Sequence, residues 1–411
     1  MPKSATFFAE TRLTKRGEAM RLLKYLVLVV IAFAIVAGGV AWRLARQPIH
    51  LEPFVRRLPA DNAYNDYVKA AKLARAYDYS RDELDDPATA EAAARENSEA
   101  LAAARQAFKK DCAVPWKPGV QAPFPEVASL RHLAQAFWIE GRAAEHRGDY
   151  ASAADSYLDA MRLGAETSRD GLTIHGLVAC AIGSIGLRPL EGIVPHLSSG
   201  DCKLALLRLR EIERRASSNG QILNNERRNA TYLISKQPWS PTPTHFPRFG
   251  AYSVGDWARA LFTSKREFMA QFDSYVAEQA RQASLPYYKR TALPEPKHIA
   301  VRMLAAVYAR TFRAFDRTDA QREVVKGMLA IQAFRSKYGH LPKKLEDVVP
   351  EFLPKTLMDP HTGKPLAYKL APDGYLLYSF GPDQDDDGGT PLKRDETSGD
   401  LVAGKLFEFA D

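Results

Sequence analysis

The sequence predicts a mainly α protein: a helical bundle after one N-terminal transmembrane helix, then a small α+β C-terminal domain with a three-stranded antiparallel sheet. Three observations predict this. Residues Tyr25 to Trp42 carry no charge. From 61 to 315 the apolar residues recur at helical spacing, broken by Pro-rich loops. After Gly339 the pattern changes to the alternation of strands.

The N-terminal run reads YLVLVVIAFAIVAGGVAW. Eighteen residues of helix span about 27 Å, close to the hydrocarbon thickness of a bilayer. Arg21 and Lys24 precede the run, Arg43 and Arg46 follow it, and Lys15 and Arg16 add positive charge on the N-terminal side. The positive-inside rule then places residues 1–24 in the cytoplasm, the span at 25–42, and the bulk of the chain outside, in the periplasm of a bacterial inner membrane. A cleaved signal peptide competes with this, since Gly39-Val40-Ala41 can precede a cleavage site, but the apolar run is long for one. A type IV prepilin leader does not fit: Glu18 follows Gly17 at once, and Arg21 stands at the fourth place after it.

Residues 43–60 read as an extended linker and 61–315 as the helical domain. Asp61-Asn62-Ala63-Tyr64 opens a helix whose face is Tyr64, Tyr67, Val68, Ala71 and Ala74. After an acidic turn at 82–87, Glu91 to Lys110 reads as one Ala-rich helix, with Ala94, Leu101 and Phe108 seven apart. Two further helices over 126–165 are separated by Arg147-Gly148-Asp149-Tyr150. Helices follow over 167–197, 201–217, 219–233, 254–283 and 297–315, with Pro-rich loops at 237–250 and 285–296. The first loop, QPWSPTPTHFPRFG, is either a strap on the bundle or a docking loop.

The small residues Gly141, Ala153 and Ala160, with Gly148, Tyr150 and Tyr157, make the 126–165 pair resemble a single tetratricopeptide repeat. Phe137, Ala144 and Ala165 depart from that family's preferences, and no second copy follows 34 residues on. A lone repeat does not build a superhelical groove, so a plain helical hairpin accounts for the same residues.

The net charge of +8 is spread along the chain. Its densest basic run, 207–215, is interrupted by Glu211 and Glu213 and reads as a solvated helix face. No nucleic-acid motif accompanies it. Cys112, Cys180 and Cys202 make no metal spacing. In an oxidising compartment Cys180 and Cys202 are the first candidates for a disulfide; otherwise all three are thiols. His175 and His196 lie in apolar company and read as structural. The motifs H-E-x-x-H, G-x-S-x-G, the P-loop and G-x-G-x-x-G are absent, so the chain is read as a non-enzyme, with an envelope hydrolase of unrecognised site as the alternative.

The last unit, 318–411, opens on an expected capping box, Thr318-x-x-Gln321. Its helix stops at Gly339, with Pro342 just beyond. Leu366, Tyr368 and Leu370 alternate as a strand, Pro372-Asp373-Gly374 turns, and Tyr375 to Phe380 pairs back. Lys405 to Phe409 is expected to be the third strand.

Between them lies Asp383-Gln384-Asp385-Asp386-Asp387-Gly388-Gly389, a D-x-D-x-D-G loop. Hard cations take oxygen ligands, and alternate Asp residues around a Gly turn supply them. Asp383, Asp385 and Asp387 are the expected carboxylate ligands of a structural Ca2+, and Gly389 the carbonyl donor. Arg394 stands where an EF-hand has its bidentate Glu, so Asp395, Glu396 or Asp400 must close the shell.

The unit also resembles the C-terminal domain of the major pseudopilin of type II secretion systems. The matching residues are Tyr338-Gly339-His340-Leu341-Pro342, Asp359-Pro360, Gly363-Lys364-Pro365-Leu366-Ala367-Tyr368, Gly374-Tyr375, Tyr378-Ser379-Phe380-Gly381-Pro382-Asp383, Gly388-Gly389 and Asp400-Leu401. The resemblance implies a calcium site beginning at Asp383 and closed by Asp400. It does not imply polymerisation, because nearly 280 residues separate the membrane run from this unit. The sequence-level expectation is therefore a membrane-anchored, envelope-facing scaffold or adaptor. Its partners would be the membrane and an envelope protein, and its tail would contact a secretion or pilus-like assembly; a true pilin-like subunit is the further alternative.

Overall fold

The computed structural model describes residues 24–40, 49–121, 124–237, 253, 255–256, 259 and 263–408. The expected charges at Lys15, Arg16, Arg21, Arg43 and Arg46, the loop over 238–250, most of the expected helix over 254–262, and Phe409 lie outside the described residues.

The protein is mainly helical, with a small three-stranded antiparallel sheet. Helix α1, Lys24–Val40, is apolar and exposed on every side, with Tyr25 68% and Phe33 75% accessible. Helix α2 (Ala63–Leu73) starts where expected: the Asn62 side chain accepts from Tyr64 N–H. Its predicted face is buried at Tyr64, Tyr67, Ala71 and Ala74.

The expected single helix over 91–110 is two, α3 (Pro87–Glu96) and α4 (Ser98–Ala107). Asn97 makes the break. Its side chain donates to Ala93 O and accepts from Arg75 N–H, so it bonds backbone groups locally.

Helices α5 (Glu126–His146) and α6 (Tyr150–Ser168) form the hairpin that the Gly148 turn predicts, capped by Asp149 accepting from Ser152 N–H. A side chain at Gly141 would collide with the Tyr157 ring, so the glycine sets the closeness of this pair. Helix α7 (Thr173–Ile193) packs on both. It is followed by α8 (Ser199–Arg215), α9 (Asn219–Lys236) and α10 (Lys265–Ala283). Among the described residues, Thr173–His196 is the one helix long and apolar enough to cross a membrane. Composition explains this equally as a core helix, and α7 packs against α5, α6, α9 and the long last helix.

That last helix corrects an expected boundary. Residues 297–315 and 318–339 are not separate helices but one, α11 (Ile299–Tyr338), ended by Gly339 at φ 77°. Thr318 does not cap it; its hydroxyl donates back to Ala314 O, and Gln321 Nε2 donates to Leu406 O. No glycine or proline interrupts the stretch from 316 to 320, so the helical ladder runs through.

Strands β1 (Ala367–Ala371) and β2 (Gly374–Ser379) form the expected hairpin, with Ala371 opposite Gly374. The third strand is β3, Leu401–Val402, and not Lys405–Phe409. Leu401 and Val402 are buried, whereas Gly404 at φ 81° turns the chain and Lys405 is exposed. One apolar core joins α6, α7 and α8 to the C-terminal half of α11 and to Leu345, Leu353, Leu377 and Leu401. The α+β unit is thus packed into the helical body through α11.

Two of the four arginines in the basic run on α8 are paired within the fold. Arg208 pairs with Asp155 and Asp159, and Arg215 with the fully buried Glu166. Of the two readings of the cysteines, the structure has all three as free thiols, without a Cys180–Cys202 bond. Cys202 is buried in the core shared with the C-terminal unit and Cys112 in a second core built on α2 to α5, whereas Cys180 is half-buried and belongs to neither. His175 Nδ1 accepts from Leu172 N–H at the start of α7, and burial pushes its imidazole down to about 4, so it is neutral.

Candidate metal centre in the acidic loop

The acidic loop leaves the buried end of β2 and returns into β3. Gly381 (φ 70°) crosses the returning chain so closely that a side chain there would strike Gly399 O. Tyr287 donates its hydroxyl to Pro382 O at 2.9 Å, tying the loop entrance to the segment after α10. Gln384, Gly388 and Gly389 also take positive φ, which gives the loop its tight turns.

Within it, Asp383 accepts from Gly399 N–H (3.2 Å) and Asp385 N–H (3.4 Å). Asp385 accepts from Asp386 N–H at 3.0 Å. Asp387 is exposed, and its backbone oxygen accepts from Thr390. Gly389 N–H donates to Asp400 Oδ2 at 2.8 Å, and Asp400 N–H donates to Thr390 O at 2.7 Å.

Of the three acids able to close the shell, two are occupied. Glu396 pairs with Arg317, and Asp395 accepts from the N–H and hydroxyl of Thr397. Asp400 is different. It is 1% exposed, and its Oδ1 is buried with no hydrogen-bond partner. Burial pushes its carboxyl up to about 6; the Gly389 bond opposes this, and Asp387 and Asp386 add to it. A buried carboxylate oxygen without a donor is costly unless a proton or a cation meets it.

Among the described residues no group of three or more His, Cys, Asp or Glu side chains is gathered closely enough to hold a metal ion. The five expected residues therefore belong to one loop without converging on one point. Their donor chemistry, four carboxylates and a carbonyl, nevertheless fits a hard cation, and the orphan Oδ1 of Asp400 supplies the unmet acceptor.

Two features of the site were not read from the sequence. Asp386, between the expected ligands, accepts from Tyr378 Oη (2.6 Å) and Gly388 N–H (3.0 Å), fastening the loop to β2. The hydrogen bond from Tyr378, the largest influence, holds its carboxyl below the ordinary range. Asp359 is the second. Fully buried, it accepts from Ser379 Oγ (2.5 Å), from Thr362 N–H (3.0 Å) and from Thr362 Oγ1 (2.7 Å). His361 Nδ1 lies 3.2 Å from Ser379 Oγ. Burial pushes the Asp359 carboxyl up, and the hydrogen bonds it accepts outweigh this and leave it lowered. The Ser379 proton points to the carboxylate and not to the imidazole, the reverse of the arrangement that activates a serine. The Asp-x-x-Thr spacing at 359–362 was the available signal, since an Asp side chain bonds backbone two or three residues on.

No family model matches the chain. Neither a curated protein nor a solved structure matches it either.

Proposed function

We propose that this chain is a single-pass protein of a bacterial inner membrane, N-terminus in the cytoplasm and bulk in the periplasm, acting as a non-enzymatic scaffold or adaptor. Its pseudopilin-like C-terminal unit is closed by a structural Ca2+ and contacts a secretion or pilus-like assembly, while the helical body holds an envelope protein. The observation that carries this reading is Asp400, a buried carboxylate with an unmet oxygen, bonded across to Gly389 of the acidic loop.

Asp383, Asp385 and Asp387 would supply carboxylate oxygens, Gly389 its carbonyl, and Asp400 the closing carboxylate. Ca2+ supplies the positive charge that lets these groups ionise side by side, with an affinity of roughly 10⁻⁴ to 10⁻³ M for a site of extracellular type. The chain's own part is to fold the loop back on β2 through Asp386 and Tyr378 and to hold Asp400 in place through Gly389 and Thr390. The anchor is supported by α1, whose apolar side chains stay exposed among the described residues.

Protease added to spheroplasts tests the placement. The body should be digested, leaving a short membrane-protected fragment, and crosslinking in intact cells should recover an envelope protein. A body fully protected until the membrane is lysed overturns the reading.

A further inference from the structure

An open cleft of about 560 Å3 lies between the linker that follows α1, the turn joining α6 to α7, helix α9 and the end of α10. Three arginines line it: Arg56 and Arg57 from the linker, and Arg228 from α9. Its other walls are mainly polar, with Ser218, Asn224, Asn225 and Ser284. One carboxylate faces the three cations, that of Asp170, and it already accepts from Gln221 Nε2.

The positive charge of this cleft is held in place without being neutralised. Arg56 is half-buried and donates to Val114 O at 2.7 Å, Trp116 O at 3.0 Å and Asp170 O at 2.9 Å, all of them backbone carbonyls. Its guanidinium lies 4.3 Å from the centre of the Trp116 ring. Arg228 is exposed and lies over the Phe54 ring at 4.0 Å, and Arg57 is exposed beside it on the linker. Elsewhere arginines find carboxylates, as Arg105, Arg208 and Arg290 do. Among the described residues, Arg56, Arg57 and Arg228 have no carboxylate within ion-pair distance. Burial, the largest influence, lowers the hold of Arg56 on its proton; Asp170 opposes this and the nearby Arg228 adds to it. Guanidinium groups gathered without counter-charges repel, and an anion that accepts from several of them removes that cost.

Arginine forks match the oxygens of a phosphate. The place of the cleft along the chain indicates whose phosphate. Val55 follows Trp42, the last residue of the apolar run, by thirteen residues, at most about 45 Å of extended chain, so the linker wall stays within reach of a bilayer surface. From the three arginines without carboxylates and this tether, we infer that the cleft binds the phosphate of an anionic phospholipid headgroup and so docks the helical body on the membrane that α1 enters. The inference rests on the anchored reading and not on calcium.

Full-length protein is reconstituted in nanodiscs of phosphatidylcholine, alone or in equal parts with phosphatidylglycerol. Phenylglyoxal then modifies arginines, and each site is followed by peptide mass spectrometry. Arg95, exposed on α3, is the internal reference. Phosphatidylglycerol should slow modification of Arg57 and Arg228 about fivefold, the factor for a site four-fifths occupied, and leave Arg95 unchanged. Arg57→Gln/Glu52→Gln changes two exposed side chains, keeps the net charge of the linker and removes one guanidinium from the cleft. It should return Arg228 most of the way to its rate in phosphatidylcholine. Protection of Arg228 that survives this double change overturns the inference, since a diffuse attraction to the charged surface would then account for it. Equal modification in the two bilayers also overturns it. Glycerol 3-phosphate added to phosphatidylcholine nanodiscs tests the source: protection there without protection by phosphatidylglycerol assigns the cleft to a soluble phosphate and overturns the lipid. Protein found outside the nanodisc fraction overturns the anchored reading itself, and the inference with it.

Discussion

Asp400→Asn separates a loop that awaits a cation from one that is merely acidic. In the metal-free protein, burial raises the Asp400 carboxyl to about 6, against about 3.9 for an ordinary Asp. Because the folded-state value lies above the unfolded one, this group's contribution to stability is fully present below about pH 4 and is lost as pH rises through about 6. Two units correspond to about 3 kcal/mol, which the screened, solvent-facing carboxylates beside it reduce to about 1–2 kcal/mol. Asparagine keeps an acceptor for Gly389 N–H and carries no charge. In chelator near neutral pH the variant should therefore unfold at higher denaturant than wild type, by about 1–2 kcal/mol, and the difference should vanish below about pH 4. Added Ca2+ reverses the order, because it stabilises only the ionised Asp400 form, and its effect on wild type should shrink as pH falls through about 6. The assay is urea unfolding of the full-length protein in detergent across this pH range, with chelator and with millimolar Ca2+. A variant less stable than wild type in chelator near neutral pH would refute the reasoning, since Asp400 would then be worth more ionised than neutral.

Arg290→Ala leaves Asp316 buried without its bidentate partner and should cost about 3–5 kcal/mol by urea unfolding. Replacing both residues by apolar ones of similar size should recover most of that loss. Asp319→Pro tests the continuity of α11: at the first turn of a new helix proline is tolerated, but inside one helix it should cost about 3 kcal/mol, read by the same assay. Gly141→Leu drives a side chain into the Tyr157 ring and should lower stability by about 1–3 kcal/mol, visible as a fall in Tm.

Local chemistry was legible and long-range packing was not. Asn62, Asp149 and Gly339 mark helix ends through groups that act within a few residues, and the structure uses them as expected. The hairpin at Pro372-Asp373 is legible for the same reason. Thr318 shows the limit: the same residue that caps a helix can bond back to the preceding turn, and only the uninterrupted ladder decides between them. At Asn97 a side chain able to bond two backbone groups overrode a seven-residue apolar repeat. The third strand was misplaced because Leu401-Val402 is too short to show alternation, whereas Lys405 to Phe409 alternates without pairing over its described part. In the acidic loop the Asp spacing was readable. The orphan oxygen of Asp400 was not, because it depends on how deeply the chain beside β3 is buried, which local spacing does not show. Of the glycines of 176–186, Gly176 and Gly186 are positions of close contact and Gly183 faces open space, a difference the sequence alone does not show.

Calcium-dependent unfolding tests the central claim most directly. Full-length protein is melted in chelator and in millimolar Ca2+, with Asp385→Ala/Asp387→Ala as control. At millimolar Ca2+, about one to ten times the dissociation constant expected of such a site, Ca2+ should add roughly 0.4–1.4 kcal/mol to wild type, raising its Tm, and leave the control unmoved. A wild-type melt that is the same in chelator and in millimolar Ca2+ would contradict the account.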